Sequence, residues 1–294
     1  MVLCQNVCLI FATACLTGAT FAQEAGTLVE ERGPESTSPP SQASGGLAQA
    51  SAPPDPTSMA LLDAIDTQSI SLQDFAARVR MNTYDDLADE TEKRFGRVYL
   101  VMPPPGGPES GPSQYRQAAI VFERSIEPSG RARERLEHFV LVDGILSDYD
   151  HEAKRLVRRR VVDPGSQRDP LRLGEGPIPL PIGQRKADIL KYFEVTPAPP
   201  IPARIFKDAE GVVGLHLVPR PGSEMADARK ITGIDLWVGK TNYLPIAVEI
   251  HERDGDRTSV RFFDPLINAG VDDEARRWLE APDVDPTVWR IESK

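Results

Sequence analysis

The sequence has little cysteine. Its three cysteines, Cys4, Cys8 and Cys15, all lie in an apolar N-terminal segment that ends in Thr20-Phe21-Ala22. A short apolar segment followed by a small-x-small tripeptide is typical of a secretory signal peptide, which predicts that residues 1–22 are removed on export. The mature chain then has no cysteine, which excludes disulfides, thiolate catalysis and cysteine-ligated zinc.

A second interpretation of the same segment retains Cys15. The run Ala12-Thr13-Ala14-Cys15 weakly resembles a lipobox, in which this cysteine would be lipidated and kept. Because Ala12 stands where leucine is usual, the lipid-anchored product is the minority alternative to an exported protein of the periplasm.

Long apolar runs are also scarce. The N-terminal run from Val7 to Ala22 has about 16 residues, whereas a membrane-spanning helix needs roughly 20. No second long apolar stretch follows it. We therefore expect the mature chain to be a soluble protein of the periplasm.

Basic residues are fewer than acidic ones. The chain has 34 Lys and Arg against 44 Asp and Glu, for a formal net charge of −10. Nucleic acid is not an expected partner, because phosphate binding depends on clustered basic charge. The one dense basic stretch, Lys154–Arg160, is interpreted as an edge strand whose charge discourages aggregation. The alternative is a docking patch for an acidic membrane partner.

Motifs of catalysis and of metal binding are missing. The four histidines, His138, His151, His216 and His251, are scattered without metal-ligand spacing, and neither H-E-x-x-H nor G-x-S-x-G occurs. His216 alternates with two leucines, which predicts that it points to the wet face of a strand. The sequence therefore predicts no enzyme activity, no cofactor and no bound metal.

An abundance of small residues and proline in one segment indicates the domain organisation. Residues 23–57 are rich in Pro, Ser, Gly and Ala, and such a segment cannot bury enough apolar surface to offset its conformational entropy. We expect a disordered tether there and a single folded domain over residues 58–294. A helix from Ser58 to about Asp66 opens this domain, since its apolar residues fall on one helical face.

After this helix the apolar period changes to two, which is typical of strands with one buried and one wet face. The strands predicted in this way include Phe75–Met81, Glu92–Val101, Ala118–Phe122, Val213–Leu217, Ile234–Val238 and Leu244–Ile250. Hairpin turns are expected at Asp143-Gly144, Gly239–Asn242 and Arg253–Asp256. Sequential hairpins predict a meander, and the fold class is mainly β (α+β), with one large antiparallel sheet.

Two further short helices are expected, and they leave a physical problem. A proline-rich loop, Asp163 to Gly183, leads into a helix from Gln184 to about Phe193, and a last helix spans Asp272–Leu279. Helices of eight to ten residues cover little of a large sheet. We therefore expect part of its apolar face to remain unfilled, which is what a lipid site requires.

The order of several short segments carries a resemblance to a known family. The segments are Leu72–Ala77, Arg94–Tyr99, Val140–Gly144 with Ser147–Asp150, Leu215–Pro219, Ile231–Val238, Phe263–Asn268 and Ala281–Pro286. Together they resemble the LolA family of lipoprotein carriers, with its LolB and LppX-type relatives. The resemblance implies an incomplete β-barrel whose concave face is lidded by short helices.

The resemblance also implies a site and partners. The ligand would be the acyl chains of lipoproteins or another lipid, and the partners a releasing complex at the inner membrane and an acceptor at the outer membrane. The family's Arg-Pro dipeptide, whose arginine latches the lid, is missing, and a proline- and glycine-rich insert, Pro103–Pro112, stands in its place. Arg116 is the candidate for the latch.

Fourteen apolar residues are candidates for the walls of the lipid cavity. They are Phe75, Val79, Leu100, Ile120, Phe122, Leu215, Leu217, Ile234, Leu236, Ile246, Val248 and Phe262 on strands, with Leu190 and Phe193 on the lid helix. For each of them an ordinary core position is the competing interpretation. Charge-free walls suffice, because removing the acyl chain from water already supplies the binding free energy. Exposing a 16-carbon acyl chain to water costs on the order of 12 kcal/mol.

The leading hypothesis is a monomeric periplasmic carrier that shields acyl chains of lipoproteins during transfer toward the outer membrane. One alternative is a lipid-anchored or soluble relative that carries phospholipid or glycolipid. Another is a sensor or scaffold that uses the same fold to bind a protein partner.

Overall fold

The computed structural model describes residues 55–103, 116–163, 169–171, 173, 180–207, 209–222 and 231–294. The predicted signal peptide, Cys15 and nearly all of the predicted tether lie outside these ranges, as does most of the insert Pro103–Pro112. In the described part of the chain no helix combines the length and the hydropathy that crossing a bilayer requires.

Twelve strands and three helices form within the described ranges. The helices are α1 (Pro56–Ser71), α2 (Lys186–Tyr192) and α3 (Asp273–Leu279). The first six strands are β1 (Asp74–Asp85), β2 (Glu90–Val101), β3 (Gln117–Ile126), β4 (Ala132–Val142), β5 (Ile145–Asp150) and β6 (Arg155–Arg160). The other six are β7 (Phe193–Pro197), β8 (Val212–Pro219), β9 (Ile231–Gly239), β10 (Pro245–Glu252), β11 (Arg257–Ile267) and β12 (Arg290–Ser293).

All twelve strands belong to one open sheet in the order β12-β6-β5-β4-β3-β2-β1-β11-β10-β9-β8-β7. The sheet consists of two antiparallel meanders, β1 to β6 and β7 to β11, which are joined where β1 pairs with β11. It does not close on itself. The predicted fold class, a large antiparallel sheet forming an incomplete β-barrel with short helices, is therefore confirmed.

The predicted hairpins are present. Asp143 and Gly144 both have positive φ, at 52° and 72°, as a type I′ turn between β4 and β5 requires. Between β10 and β11, the Glu252 amide donates to the Asp256 carbonyl at 2.9 Å, and Gly255 takes a φ of 96°. These turns set the registers that align the apolar residues on one face of the sheet.

Helix α1 is longer than the sequence pattern predicts. It begins at Pro56 because the Asp55 carboxylate caps it, accepting from the Ser58 amide at 2.7 Å, and because proline suits the first helical position. It ends at Ser71 and not near Asp66. Residues 67–71 continue the helix without an apolar face, so the apolar pattern does not reveal them.

The basic stretch Lys154–Arg160 is not an edge strand within the described chain. It contains β6, and β12 pairs with β6 in parallel, with Arg290 opposite Arg155 and Ser293 opposite Arg158. The prediction of a charged edge is therefore wrong. The edge lies one strand further out, formed by residues from the C-terminal part of the chain.

Apolar clusters lie on both faces of the sheet. The inner face, defined here as the one that packs against α1 and α2, holds the largest cluster, to which α1 contributes Leu62 and Ile65 and α2 contributes Ile189. The opposite, outer face is covered in two places. Helix α3 lies over residues of β2 to β6, and the segment 198–206 lies over Trp237 and Ala247.

A histidine is buried beneath α3. His138 on β4 is 1 % exposed, and its Nε2 lies 2.7 Å from the carbonyl oxygen of Trp278. Its ring stacks on Tyr149 at 5.3 Å between centroids. The other ring nitrogen, Nδ1, is buried and has no hydrogen-bond partner among the described residues. Burial, together with the nearby His151, lowers the pKa of His138 to about 4.

Candidate functional site

Most of the candidate wall residues come together on the inner face. Twelve of them, all except Leu190 and Ile246, are at most 5 % exposed and belong to the inner cluster. Leu190 is half-buried and packs against the same cluster from α2. Phe193 is in the cluster, but it is the first residue of β7, opposite Pro219, and not part of the lid helix as predicted.

Ile246 is placed differently from the expectation. It packs against the outer cluster of Trp237 and Ala247. The cause is a register shift between Pro245 and Ala247, where β10 pairs with β9. Such an irregularity breaks the alternation of faces, so a residue before it can point to the side that the simple pattern assigns to its neighbours.

The wall residues are packed against one another. Phe75 and Phe262 meet edge to face with their ring centroids 6.0 Å apart, and Phe122 and Phe139 do so at 6.3 Å. The partly vacant hollow expected from the sequence is not seen among the described residues. In the observed state the inner face is a filled core. It is closed by α1, α2 and the segment 180–185, and we call these three elements together the cover.

Polar contacts fasten this cover. The Gln184 side chain accepts from the Leu173 amide at 3.1 Å and donates to the carbonyls of Leu171 and Leu180. Asp66 on α1 accepts from Arg185 and from the Lys186 amide, at 2.8 and 2.9 Å. The hydrogen bond from Arg185 is the main cause that lowers the pKa of Asp66.

Arg116, the predicted latch, directly precedes β3 and binds the cover. Its guanidinium donates to the carbonyl of Ile182 at 3.1 Å and to that of Gly183, and it pairs with Asp169 at 2.9 Å. Burial lowers the pKa of Arg116, and the charge of Asp169 opposes that effect. Gly183 has a φ of 69°, and a Cβ there would lie 3.1 Å from the guanidinium, so glycine suits this close approach.

A second cluster, on the outer face, was not predicted from the sequence. His216 on β8, Asp235 on β9 and Glu249 on β10 are opposite one another across the three strands. His251 follows on the same face of β10. The Asp235 carboxylate accepts from His216 Nδ1 and from His251 Nε2, each at 2.7 Å. The prediction that His216 points to the wet face is in accord with this placement.

The electrostatics of this cluster centre on a buried carboxylate. Asp235 is 4 % exposed, and burial by itself would raise its pKa. The hydrogen bonds from His216 and His251 outweigh that effect and lower the pKa of Asp235 to about 2. The bond with Asp235 in turn raises the pKa of His216. Asp235 is therefore a carboxylate at neutral pH.

An open pocket of about 550 Å³ adjoins the cluster. It is lined by Pro197, Pro199, His216, Thr232, Gly233, Asp235 and His251. Glycine at position 233 makes room for the rings, because a Cβ there would lie 2.9 Å from His216 Cε1. A signal did exist in the sequence: His216, Asp235 and Glu249 each interrupt an apolar run at the polar step of the alternation.

The fold defines the chain as an incomplete β-barrel protein with a helical cover over its inner face. No family model matches the chain, and no curated protein matches its sequence. Solved structures do match, among them a LolA superfamily protein from Nitrosomonas europaea, at 14% identity and a TM-score of 0.29, over 74% of this chain and 96% of that one. The structural similarity to the LolA superfamily is thus found, as the sequence predicted.

Two other matches have different names. LprF from Mycobacterium bovis matches at 13% identity and a TM-score of 0.37, over 74% of this chain and 96% of that one. A complex of MucA and MucB from Pseudomonas aeruginosa matches at 10% identity and a TM-score of 0.38, over 77% of this chain and 61% of that one. Because all three TM-scores lie below 0.5, the function of this chain has to be argued from its own residues.

Proposed function

We propose that this chain is an exported lipid-binding carrier of the periplasm that shields acyl chains of lipoproteins during transfer toward the outer membrane. The acyl chain would lie against the inner face of the sheet, beneath the cover. The observation that carries the proposal is the construction of that face. It is one continuous apolar cluster into which the cover buries Leu62, Ile65 and Ile189, and polar contacts of Arg116, Gln184 and Asp66 fix the position of the cover.

A filled inner face is what an unloaded carrier needs. An apolar face left open to water would cost about 25 cal/mol for each Å² of exposed area, so the chain covers it with its own residues. On loading, the acyl chain would replace the contacts that Ile189 and Leu190 make with the sheet. Because one apolar contact replaces another, the net free energy is small, and the cargo can be released to a membrane acceptor.

The polar fastening of the cover suits this exchange. Hydrogen bonds are directional and net only about 0.5–3 kcal/mol each, so they hold the cover in one position without burying it irreversibly. Helix α2 has seven residues, and Ile189 is the one that is fully buried. Movement of α2 with the segment 180–185 would expose the inner face together with Leu180, Ile182 and Ile189, each at about 1.5–3 kcal/mol in water, so the incoming acyl chain has to replace these contacts.

Replacing Arg116 with glutamine is expected to loosen the cover. The variant loses its contacts with Ile182, Gly183 and Asp169. At about 2 kcal/mol for charged hydrogen bonds, the opening equilibrium should rise roughly 30-fold. Hydrogen exchange of the amides of α2 measures this change directly.

The matched control for Arg116 is Arg124→Gln on β3, the strand that Arg116 precedes. Arg124 is exposed and lies over the Phe95 ring at 4.6 Å, away from the cover. It should leave exchange in α2 unchanged. Equal acceleration in both variants, or none in Arg116→Gln, would contradict the latch.

Native mass spectrometry tests the proposed ligand. The purified protein is incubated with a synthetic tripalmitoylated lipopeptide, with the same peptide lacking acyl chains, and with vesicles of phosphatidylglycerol and phosphatidylethanolamine. We expect a one-to-one complex with the acylated peptide only. Phospholipid alone in the complex would favour the alternative carrier, and no complex with any lipid would reject lipid carriage.

The same spectra report the N-terminus of protein isolated from its host. A mature chain that begins at Gln23 agrees with the exported carrier. A diacylated or triacylated Cys15 would instead favour the lipid-anchored alternative.

A further inference from the structure

We propose that the outer-face cluster is a binding site for a divalent transition-metal ion of the zinc class, with His251, Asp235 and Glu249 as ligands. The site lies on the opposite side of the sheet from the proposed lipid face. It is independent of lipid carriage, since either property can fail without affecting the other.

The donor atoms have the chemistry that such an ion requires. Zinc in proteins takes imidazole nitrogen and carboxylate oxygen at about 2.0–2.2 Å, and three protein ligands with one open position is the usual arrangement of an accessible site. His251 Nε2, one Asp235 oxygen and one Glu249 oxygen all lie within 4.8 Å of one another. The adjoining pocket leaves room for water or another small ligand in the fourth position.

The distances from His251 to the two carboxylates come close to the required values. Ligands at about 2.05 Å in a tetrahedron stand roughly 3.3 Å apart. His251 Nε2 lies 2.7 Å from Asp235 Oδ2 and 3.7 Å from Glu249 Oε1. Shifts of roughly half an ångström would bring these two distances to the tetrahedral value, and the Asp235 and Glu249 oxygens, within 4.8 Å of each other, would close the third by side-chain rotation with the strands unchanged.

The surroundings favour a cation. Glu249 and Asp235 are 2 % and 4 % exposed, and two buried carboxylates side by side need positive charge between or beside them. His216 donates its Nδ1 proton to the other Asp235 oxygen, which orients that carboxylate as outer-shell partners do at metal sites.

At present Arg204 partly supplies the positive charge. It pairs with Glu249 Oε1, the same oxygen that would bind the metal, and its side chain is 50 % exposed. Arg204 and a metal ion therefore compete for one carboxylate oxygen. An exposed arginine can turn into solvent when the ion arrives, so the competition is reversible.

Competition between Zn²⁺ binding to the purified protein and to a chromophoric chelator tests the site. We expect one equivalent with a micromolar or tighter Kd. His251→Gln and Glu249→Gln should each weaken binding by about 100-fold, and His216→Gln by about tenfold, as loss of an outer-shell partner does. His151→Gln is the control and should bind as the unchanged protein does, since His151 lies in the aromatic cluster near Trp289.

Arg204→Gln gives the sharpest outcome, because its expected effect has the opposite sign. Removing the competing cation should tighten Zn²⁺ binding several-fold, whereas a role in folding alone would give no gain. Circular dichroism of each variant checks that it folds. Should His251→Gln fail to fold, the Co²⁺ spectrum of the unchanged protein decides, since intense d–d bands report tetrahedral coordination.

Three results would overturn the proposal. They are the absence of stoichiometric Zn²⁺ and Co²⁺ binding to the unchanged protein, undiminished binding by a folded His251→Gln variant, and weaker binding by Arg204→Gln.

Discussion

Replacing Gly96 with alanine is expected to cost on the order of 4 kcal/mol of stability, at the upper end for a single substitution. Gly96 lies in β2 at a register shift opposite Phe122 of β3. A Cβ at this position would be 1.8 Å from the carbonyl oxygen of Val121 and 2.8 Å from its carbonyl carbon. Both are backbone atoms of a central strand, so the clash can be relieved only by separating β2 from β3. Urea unfolding of the purified variant measures the loss.

The control for Gly96 is Gly130→Ala in the turn between β3 and β4. Gly130 has a φ of 83° but nothing within 4 Å of the added Cβ. It should lose only the roughly 1 kcal/mol that a left-handed conformation costs an alanine. If Gly96→Ala loses no more than this control, then β2 and β3 are not as close as described.

Acidification from pH 7 to 4 is expected to remove about 3 kcal/mol of stability through His138 alone. Its pKa is lowered from 6.5 to about 4 by burial in the folded state. A lowered histidine pKa means that the unfolded chain binds the proton first. The contribution of His138 is therefore fully present above pH 6.5 and is lost as the pH falls toward 4. The buried Nδ1 explains the direction, since its added proton would find no acceptor among the described residues.

The measurement is the free energy of unfolding against pH for the wild-type chain and for His138→Gln. The glutamine variant is expected to be less stable at pH 7 but to lose about 3 kcal/mol less between pH 7 and 4, since it lacks the titrating group. The difference between the two slopes isolates His138 from the carboxylates, which titrate in both proteins. Parallel curves would show that His138 is not buried in the neutral form.

Strands could be predicted wherever the two faces of the sheet differ in polarity. In β1, Phe75 and Val79 are buried on the inner face while Arg78 and Arg80 are not, and this alternation is plain in the sequence. The turn at Asp143-Gly144 could also be predicted, because few residues other than glycine, asparagine and aspartate adopt positive φ.

Elements that depend on distant pairing could not be predicted. Strand β12 is four residues long and mostly polar, and its partner β6 lies more than 130 residues earlier in the chain. Phe193 has an apolar neighbour both as the last residue of the lid helix and as the first residue of β7. The apolar pattern around it therefore does not distinguish the end of a helix from the start of a strand. The tertiary contact with Pro219 decides the matter.

The two sites differ in how much the sequence reveals of them. The inner wall follows from alternation, and its exceptions, such as Ile246, arise from a bulge that leaves no simple signature. The polar cluster on the outer face forms only when three strands pair in the correct register. A slip of one residue would separate His216 from Asp235. Two acceptors of Arg116 in the cover are backbone carbonyls, which any residue type supplies, so no pattern could identify them.

The pairing of β1 with β11 has a consequence for how the chain reaches its native state. Each meander can assemble from neighbouring hairpins, but the seam between them joins positions such as Phe75 and Ile267. The Asn268 side chain strengthens the seam with bonds to Ser71 and Gln73, 197 and 195 positions away. Closing so long a loop is slow, because its entropy is lost before the contacts form. Until the seam forms, the apolar inner face of each half is exposed to water. We therefore expect the newly made chain itself to need the protection from water that we propose it gives to acyl chains.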